Sequence, residues 1–281
     1  MITLSPSEIK AITSLLKTSD ENTLKLLEEQ FKIFENKLLK EIYNDIPLDD
    51  VNLQKQFFNI VLKIKRESLK KDFALWSKNN SKDLEEGIFL VALFDNPLID
   101  RERYSDTLSK WANLLDTGLK KIKLKADPTS IINEVNHFFF MELGFKGNKE
   151  FYYDPENSFI NKVMDKKSGN PILLSLVYLL VTNKLGLPFS PVNMPAHFLV
   201  KYDDLLEPIY IDPFSQGEII TRLNCQERIK VLKLPWQDEY LSVPTNKQII
   251  TRVIQNLINI YHNEGLFDLK ECLEEYTKIL K

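Results

Sequence analysis

Residues 169–171 read Gly-Asn-Pro at the head of an apolar stretch, His197 follows in MPAHFLVKY, and Asp212 follows in YIDPF. A helix start, a histidine and an aspartate in that chain order suit a triad of nucleophile, base and orienting acid. The free N–H groups and the positive dipole end of a helix stabilise a thiolate in its first turn. A histidine on a neighbouring strand takes the proton, and an acid on the next strand fixes its tautomer. Here the helix start carries Pro171 where the nucleophile belongs. Proline has no nucleophilic side chain and no N–H to offer an oxyanion. The residues pose a choice between an enzyme and a scaffold without its nucleophile.

Other groups bear on the missing role. Ser175 lies on the same helix face as Pro171, but about 6 Å further along the axis and away from the dipole end. Cys225, in TRLNCQERIK, sits in what reads as a helix leaving the sheet and suits a buried structural thiol. A His197–Asp212 dyad could instead activate water as a general base. His137 stands beside Phe138, Phe139 and Phe140, the setting of a core or helix-face residue. His137, His197 and His262 show no metal-ligand spacing, and Cys225 and Cys272 form neither a CxxC pair nor a disulfide framework. The reading calls for no metal and no cofactor.

The elements that must position these groups are legible around them. Asn170 is an N-cap, Pro171 the first helical residue and Gly186 the stop. The interior from Ile172 to Val181 is apolar nearly all round, so the helix is central. One polar stripe, Pro171, Ser175, Tyr178 and Thr182, follows helical spacing. It faces a polar groove or satisfies neighbouring backbone inside the core. HFLVKY and PIYIDPF flank a polar turn and predict a hairpin. Setting His197 opposite Asp212 leaves Asp203 to Leu206 as the loop, with Pro208 uncomfortable inside a strand.

Helices surround this centre. Ser5-Pro6 opens one, Leu24, Leu27, Phe31 and Phe34 share a face of a second, and a third runs from about Val51 through Ile64. The first pair, with a polar turn at Thr18–Glu21, resembles a HEAT-type repeat or serves as a helical cap. Residues 85–94 and 127–145 predict buried helices, and 157–169 predicts a helix capped by Asn157 and stopped by Gly169. From Thr245 the chain returns to a helix–turn–helix pair resembling one tetratricopeptide unit. The composition (43% hydrophobic, 27% charged, 8 Gly, 13 Pro) is that of a globular chain rather than a low-complexity one. A net charge of −3 gives no global pull towards nucleic acid, and the cluster Lys120, Lys121, Lys123, Lys125 reads as a solvated helix end. No signal peptide is visible, and the most apolar run is half of what a membrane span needs. These features predict a cytoplasmic protein that engages neither membrane nor nucleic acid. No oligomeric state follows from them.

The stretch NSFINKVMDKKSGNPILLSLVYLLVTNKLGLP, then MPAHFLVKY, then YIDPFSQGEII, resembles the SirB family of transglutaminase-like proteins. That family shows N-S-x-I/L-N-x-V, then G-x-P-I-x-L-S, then P-x-H-F-L-V, then I/F-D-P-F. The similarity covers about residues 84–281. It implies an α+β fold in which a HEAT-like helical segment (1–80) precedes a papain-like core (81–242). In that core a small antiparallel sheet packs on a central helix, and a tetratricopeptide-like helix pair follows (243–281). By the resemblance His197 and Asp212 fall on the histidine and aspartate of the transglutaminase core. Pro171 falls on its cysteine, a departure characteristic of this branch. The resemblance implies a degenerate enzyme acting as a protein- or peptide-binding module, its cleft drawing on Asn170, Ser175 and Tyr178 and its mouth on Asn193, Met194, Pro195 and Ala196. The alternatives are an amide or ester hydrolase working through the His197–Asp212 dyad, and a purely structural domain.

Overall fold

The computed structural model describes residues 3–17, 20–79, 81–121, 127–204 and 207–281. Thr18 and Ser19 of the first turn, Lys123 and Lys125 of the basic cluster, and Leu205 and Leu206 of the expected hairpin loop lie outside them. The chain forms two compact units, Met1–Leu75 with Leu90–Ile99, and Trp76–Phe89 with Asp100–Lys281.

The first unit is helical: α1 (Pro6–Leu15), α2 (Glu21–Phe31), α3 (Asn36–Asp45) and most of α4 (Val51–Lys78). Ser5 closes a capping box with Glu8, and Asp20 caps α2 through the Thr23 N–H. Leu16, Leu27, Phe31, Leu38, Leu39, Ile42, Phe57 and Val61 form its core. α3 carries no start signal in the sequence, because its N-cap residue is Glu35, which makes no capping hydrogen bond. Two helix ends also differ from expectation. α2 stops at Phe31, leaving Phe34 in the following turn, and α4 runs past Ile64 to Lys78.

The second unit is α+β. It takes the start of α5 (Leu84–Asp95), then α6 (Arg101–Leu119) and α7 (Pro128–Asn136), which passes into a π-helical turn, His137–Glu142. The short parallel strands β1 (Lys146–Gly147) and β2 (Ser168–Gly169) flank a 3-10 turn, Pro155–Ser158, and α8 (Ile160–Lys166). The cap expected at Asn157 lies at Phe159 instead, and the left-handed residue ending α8 is Lys167 rather than a glycine. Its ammonium sits 3.8 Å from the centre of the Trp111 ring.

Asn170 accepts from the Leu173 N–H and opens α9 (Pro171–Lys184), which is buried from Pro171 to Thr182. Gly186, at φ +65°, ends it. α9 packs on an antiparallel sheet of order β3 (Phe189–Val192), β4 (Leu199–Tyr202), β5 (Ile209–Asp212), β6 (Glu218–Ile220). On the opposite face Leu199, Tyr210 and Ile220 pack with Cys225 and Ile229 of α10 (Arg222–Val231). The register sets Val200 opposite Ile211, two residues from the expected pairing. The strand therefore begins after Pro208, which need not donate to the ladder. An even shift keeps every side chain on its expected face.

The helix pair α11 (Asn246–Asn263) and α12 (Phe267–Leu280) packs together and belongs to this same unit. Among the described residues, no helix is long and apolar enough to cross a membrane.

Candidate functional site

His197 is not on a strand. Ala196 takes φ +57°, a left-handed conformation costing a non-glycine residue about 1–2 kcal/mol. This corner turns His197 back before β4 starts at Leu199. From there Nε2 reaches Oδ2 of Asp212 at 2.7 Å, with the imidazole 16% and the carboxylate 1% exposed. The histidine and aspartate thus meet although they are not cross-strand partners. A carboxylate only accepts, so Nε2 carries the hydrogen and Nδ1 is the lone-pair atom of the neutral ring.

Asp212 has further donors. Arg228 Nη1 of α10 reaches the same Oδ2 at 3.1 Å, and the N–H groups of Phe214 and Ser215 reach Oδ1 at 3.1 and 3.3 Å. Burial pushes its carboxyl pKa up, but the hydrogen bonds and charges of His197 and Arg228 outweigh burial and hold it below the ordinary value. Cys225, on the same helix as Arg228, is fully buried, and burial pushes its thiol up. It is a neutral core group.

A cavity of about 240 Å³ opens beside this dyad, lined by Tyr152, Asn170, Pro171, Ile172, Ala196, His197, Phe198, Arg252, Gln255, Asn256 and Asn259. Pro171, at the first position of α9, and His197 share it. Ser175 and Tyr178 do not. Ser175 Oγ donates to the Phe198 carbonyl at 3.3 Å, Tyr178 OH to Asn136 Oδ1 at 3.2 Å, and Thr182 bonds back to the Tyr178 carbonyl at 2.9 Å. The polar stripe below Pro171 satisfies the core. Of the expected mouth residues only Ala196 lines the cavity, and Met194 is buried. Asn193 Oδ1 accepts from Arg252, and so does the Met194 carbonyl, at 2.7 Å.

Arg252 escapes the sequence reading, as does the rest of its face. Arg252, Gln255, Asn256 and Asn259 fall three, four and seven residues apart, so α11 presents all four to the cavity. Asn157 and Ser158, buried in the 3-10 turn, also belong to the site although their sequence assigns them no part in it. Asn157 Nδ2 donates to the carbonyls of Phe151 and Tyr152 at 2.7 and 3.2 Å. Ser158 Oγ accepts from Asn170 at 3.0 Å and from Asn256 at 2.9 Å. This turn ties together the aromatic rim, the α9 cap and α11. Among the described residues no three His, Cys, Asp or Glu side chains converge as a metal site.

A buried helix start, a histidine and an aspartate converging beside a cavity are the parts of a papain-like acyl-transfer core. The profile of the transglutaminase-like superfamily matches residues 102–255, and the chain belongs to that superfamily. It is 30% identical over 200 residues to a UPF0162 protein of Xylella fastidiosa (strain Temecula1), covering 68% of this chain and 69% of that one. A UPF0162 protein of Vibrio cholerae is 32% identical over 153 residues, covering 52% of this chain and 53% of that one. F-box only protein 21 of Mus musculus is 31% identical over 155 residues, 52% of this chain but 24% of that protein. No solved structure matches the chain.

Proposed function

We propose that this protein is a catalytically degenerate transglutaminase-like domain of the SirB type, which holds a protein or peptide segment in its cavity without covalent turnover. The observation that carries this reading is Pro171 at the head of α9, lining the cavity beside a histidine whose aspartate is still in place. Loss of a triad's nucleophile costs several orders of magnitude in rate. The cavity nevertheless remains open and polar. The similarity to a segment of the much longer F-box only protein 21 supports use of this core as a module. A second reading, amide or ester hydrolysis by water activated at His197, is favoured by Nδ1 being left to accept a proton. It is weakened by Arg228, which takes a share of the charge that would otherwise stabilise an imidazolium.

The test is an NMR titration of the whole protein with a pool of short peptides, followed by analysis of the pool. Expected are shifts at Asn170, Ala196 and Asn256 with every peptide recovered intact. Cleavage products that vanish in His197→Ala would instead establish the hydrolase.

A further inference from the structure

The cavity's lining has an unusual charge balance. Among the described residues its lining has eleven members, none of them acidic in a chain with 40 Asp and Glu, and one carries a permanent positive charge. That residue, Arg252, donates through Nη1 to Asn193 Oδ1 and the Met194 carbonyl, and through Nη2 to the His197 carbonyl at 3.0 Å. All three acceptors are neutral. Among the described residues no carboxylate pairs with it, and Nε–H and one Nη2–H have no protein acceptor. A guanidinium with donors to spare is the group that takes a carboxylate, by up to two parallel hydrogen bonds. Burial lowers the Arg252 pKa, with Tyr152 pulling the other way, a sign that the charge is partly desolvated without a counter-ion.

The surroundings suit the same ligand. Gln255, Asn256 and Asn259 add amide groups from the Arg252 face of α11. The positive end of α9 lies at Pro171, which also lines the cavity. A water takes about 30 Å³ of liquid volume, so a 240 Å³ cavity has the room of about eight waters, comparable to the heavy atoms of a mid-sized amino-acid residue. Beside it stand Phe151 and Tyr153, 62% and 71% exposed, flanking the lining residue Tyr152.

We propose that the cavity is a receptor for the carboxylate of a single amino-acid residue, with Arg252 as its anion-binding group. This rests on the peptide-recognition reading and names the part of the peptide that enters. The carboxylate comes from the C-terminus of a polypeptide or from an acidic side group, and the experiment separates the two.

The whole protein, labelled with ¹⁵N, is titrated with N-acetyl-phenylalanine, with its carboxamide, and with N-acetyl-glutamic acid α-amide, whose only acid is in the side chain. The better of the two acids is expected to bind at least about tenfold more tightly than the carboxamide, equivalent to about 1.4 kcal/mol. It should move the Arg252 Nε–H signal, and whichever acid is tighter names the source. Arg252→Gln should abolish the preference, but it also strips donors from the Met194 and His197 carbonyls. Asn259→Asp is therefore the deciding variant. Its exposed side-chain oxygen accepts from Gln255 at 3.1 Å, a bond an aspartate keeps, while a negative charge enters the cavity rim. It should weaken acid binding about tenfold more than it weakens carboxamide binding.

Equal binding of acid and carboxamide overturns the carboxylate assignment while peptide recognition stands. Acid binding unmoved by both variants overturns it too. If no probe shifts a cavity signal the assignment falls, and the recognition reading is then judged by its own peptide pool.

Discussion

Around Asp212 four donors converge on one carboxylate: His197, Arg228 and the N–H groups of Phe214 and Ser215. Its pKa is held below the unfolded value of 3.8. The stability it contributes is therefore complete above 3.8 and is lost as pH falls through the still lower folded value. Asp212→Asn should cost about 1–3 kcal/mol near neutrality, since it removes the charged acceptor shared by His197, Arg228 and two N–H groups, and should flatten the acid limb of stability. Arg228 keeps solvent and Glu218. Urea midpoints measured from about pH 7 down to pH 3 check both effects. At this scale the sequence displays His197 and Asp212, because each sits in a short β-like run with a recognisable turn between them. Arg252 is not legible. Its partners Asn193, Met194 and His197 lie 55–59 positions away, and nothing local in TNKQIITRVIQ marks one arginine as turned inward.

β1 shows how tightly the elements around the dyad are fitted. A Cβ added at Gly147 would stand 2.5 Å from the Phe214 carbonyl oxygen and 2.7 Å from its ring, in the turn that wraps Asp212. Gly147→Ala should cost about 1–3 kcal/mol by overpacking. It should also shift the NMR signals of His197, which a remote destabilisation would not do. Thermal melting and a histidine-selective spectrum read the two effects. Among the elements, α9 is the clearest in the sequence, carrying its cap, its first-turn proline and its glycine stop together. β3 escapes notice because Pro191 argues against a strand. It is tolerated since β3 is the sheet's edge. β6 has only three residues, too few for alternation to show. α6 is absent from the sequence reading although Tyr104, Leu108, Trp111, Ala112 and Leu115 recur at helical spacing along its buried face.

Across the whole molecule, α11 of the C-terminal helix pair is part of the site, and α12 packs against it. α11 supplies four cavity residues, holds the loop before His197 through Arg252, and reaches Ser158 through Asn256. A repeat-like pattern in the sequence says nothing of this, because the apolar stripe that identifies the helix pair is the face opposite the polar one. A protein ending at residue 242 should therefore lack a native core around α9. The expected signs are poor dispersion in its proton NMR spectrum and no cooperative melt. A well-folded product with an intact His197–Asp212 pair would make the helix pair a separate module.

Introducing a thiol at residue 171 tests most directly the claim that Pro171 stands where a nucleophile would act. Pro171→Cys and the unaltered protein are treated with iodoacetamide and with an activated acyl ester near pH 6.5, and adducts are located by mass spectrometry. The account predicts alkylation at residue 171 about tenfold faster than a free cysteine, as a helix start and a nearby imidazole lower a thiol's pKa from about 8.5. It also predicts loss of that advantage when His197→Ala is added, and no acyl adduct on a cavity residue of the unaltered protein. An inert thiol at that position, or an unaltered protein that is acylated within the cavity or turns the ester over through His197, would contradict it.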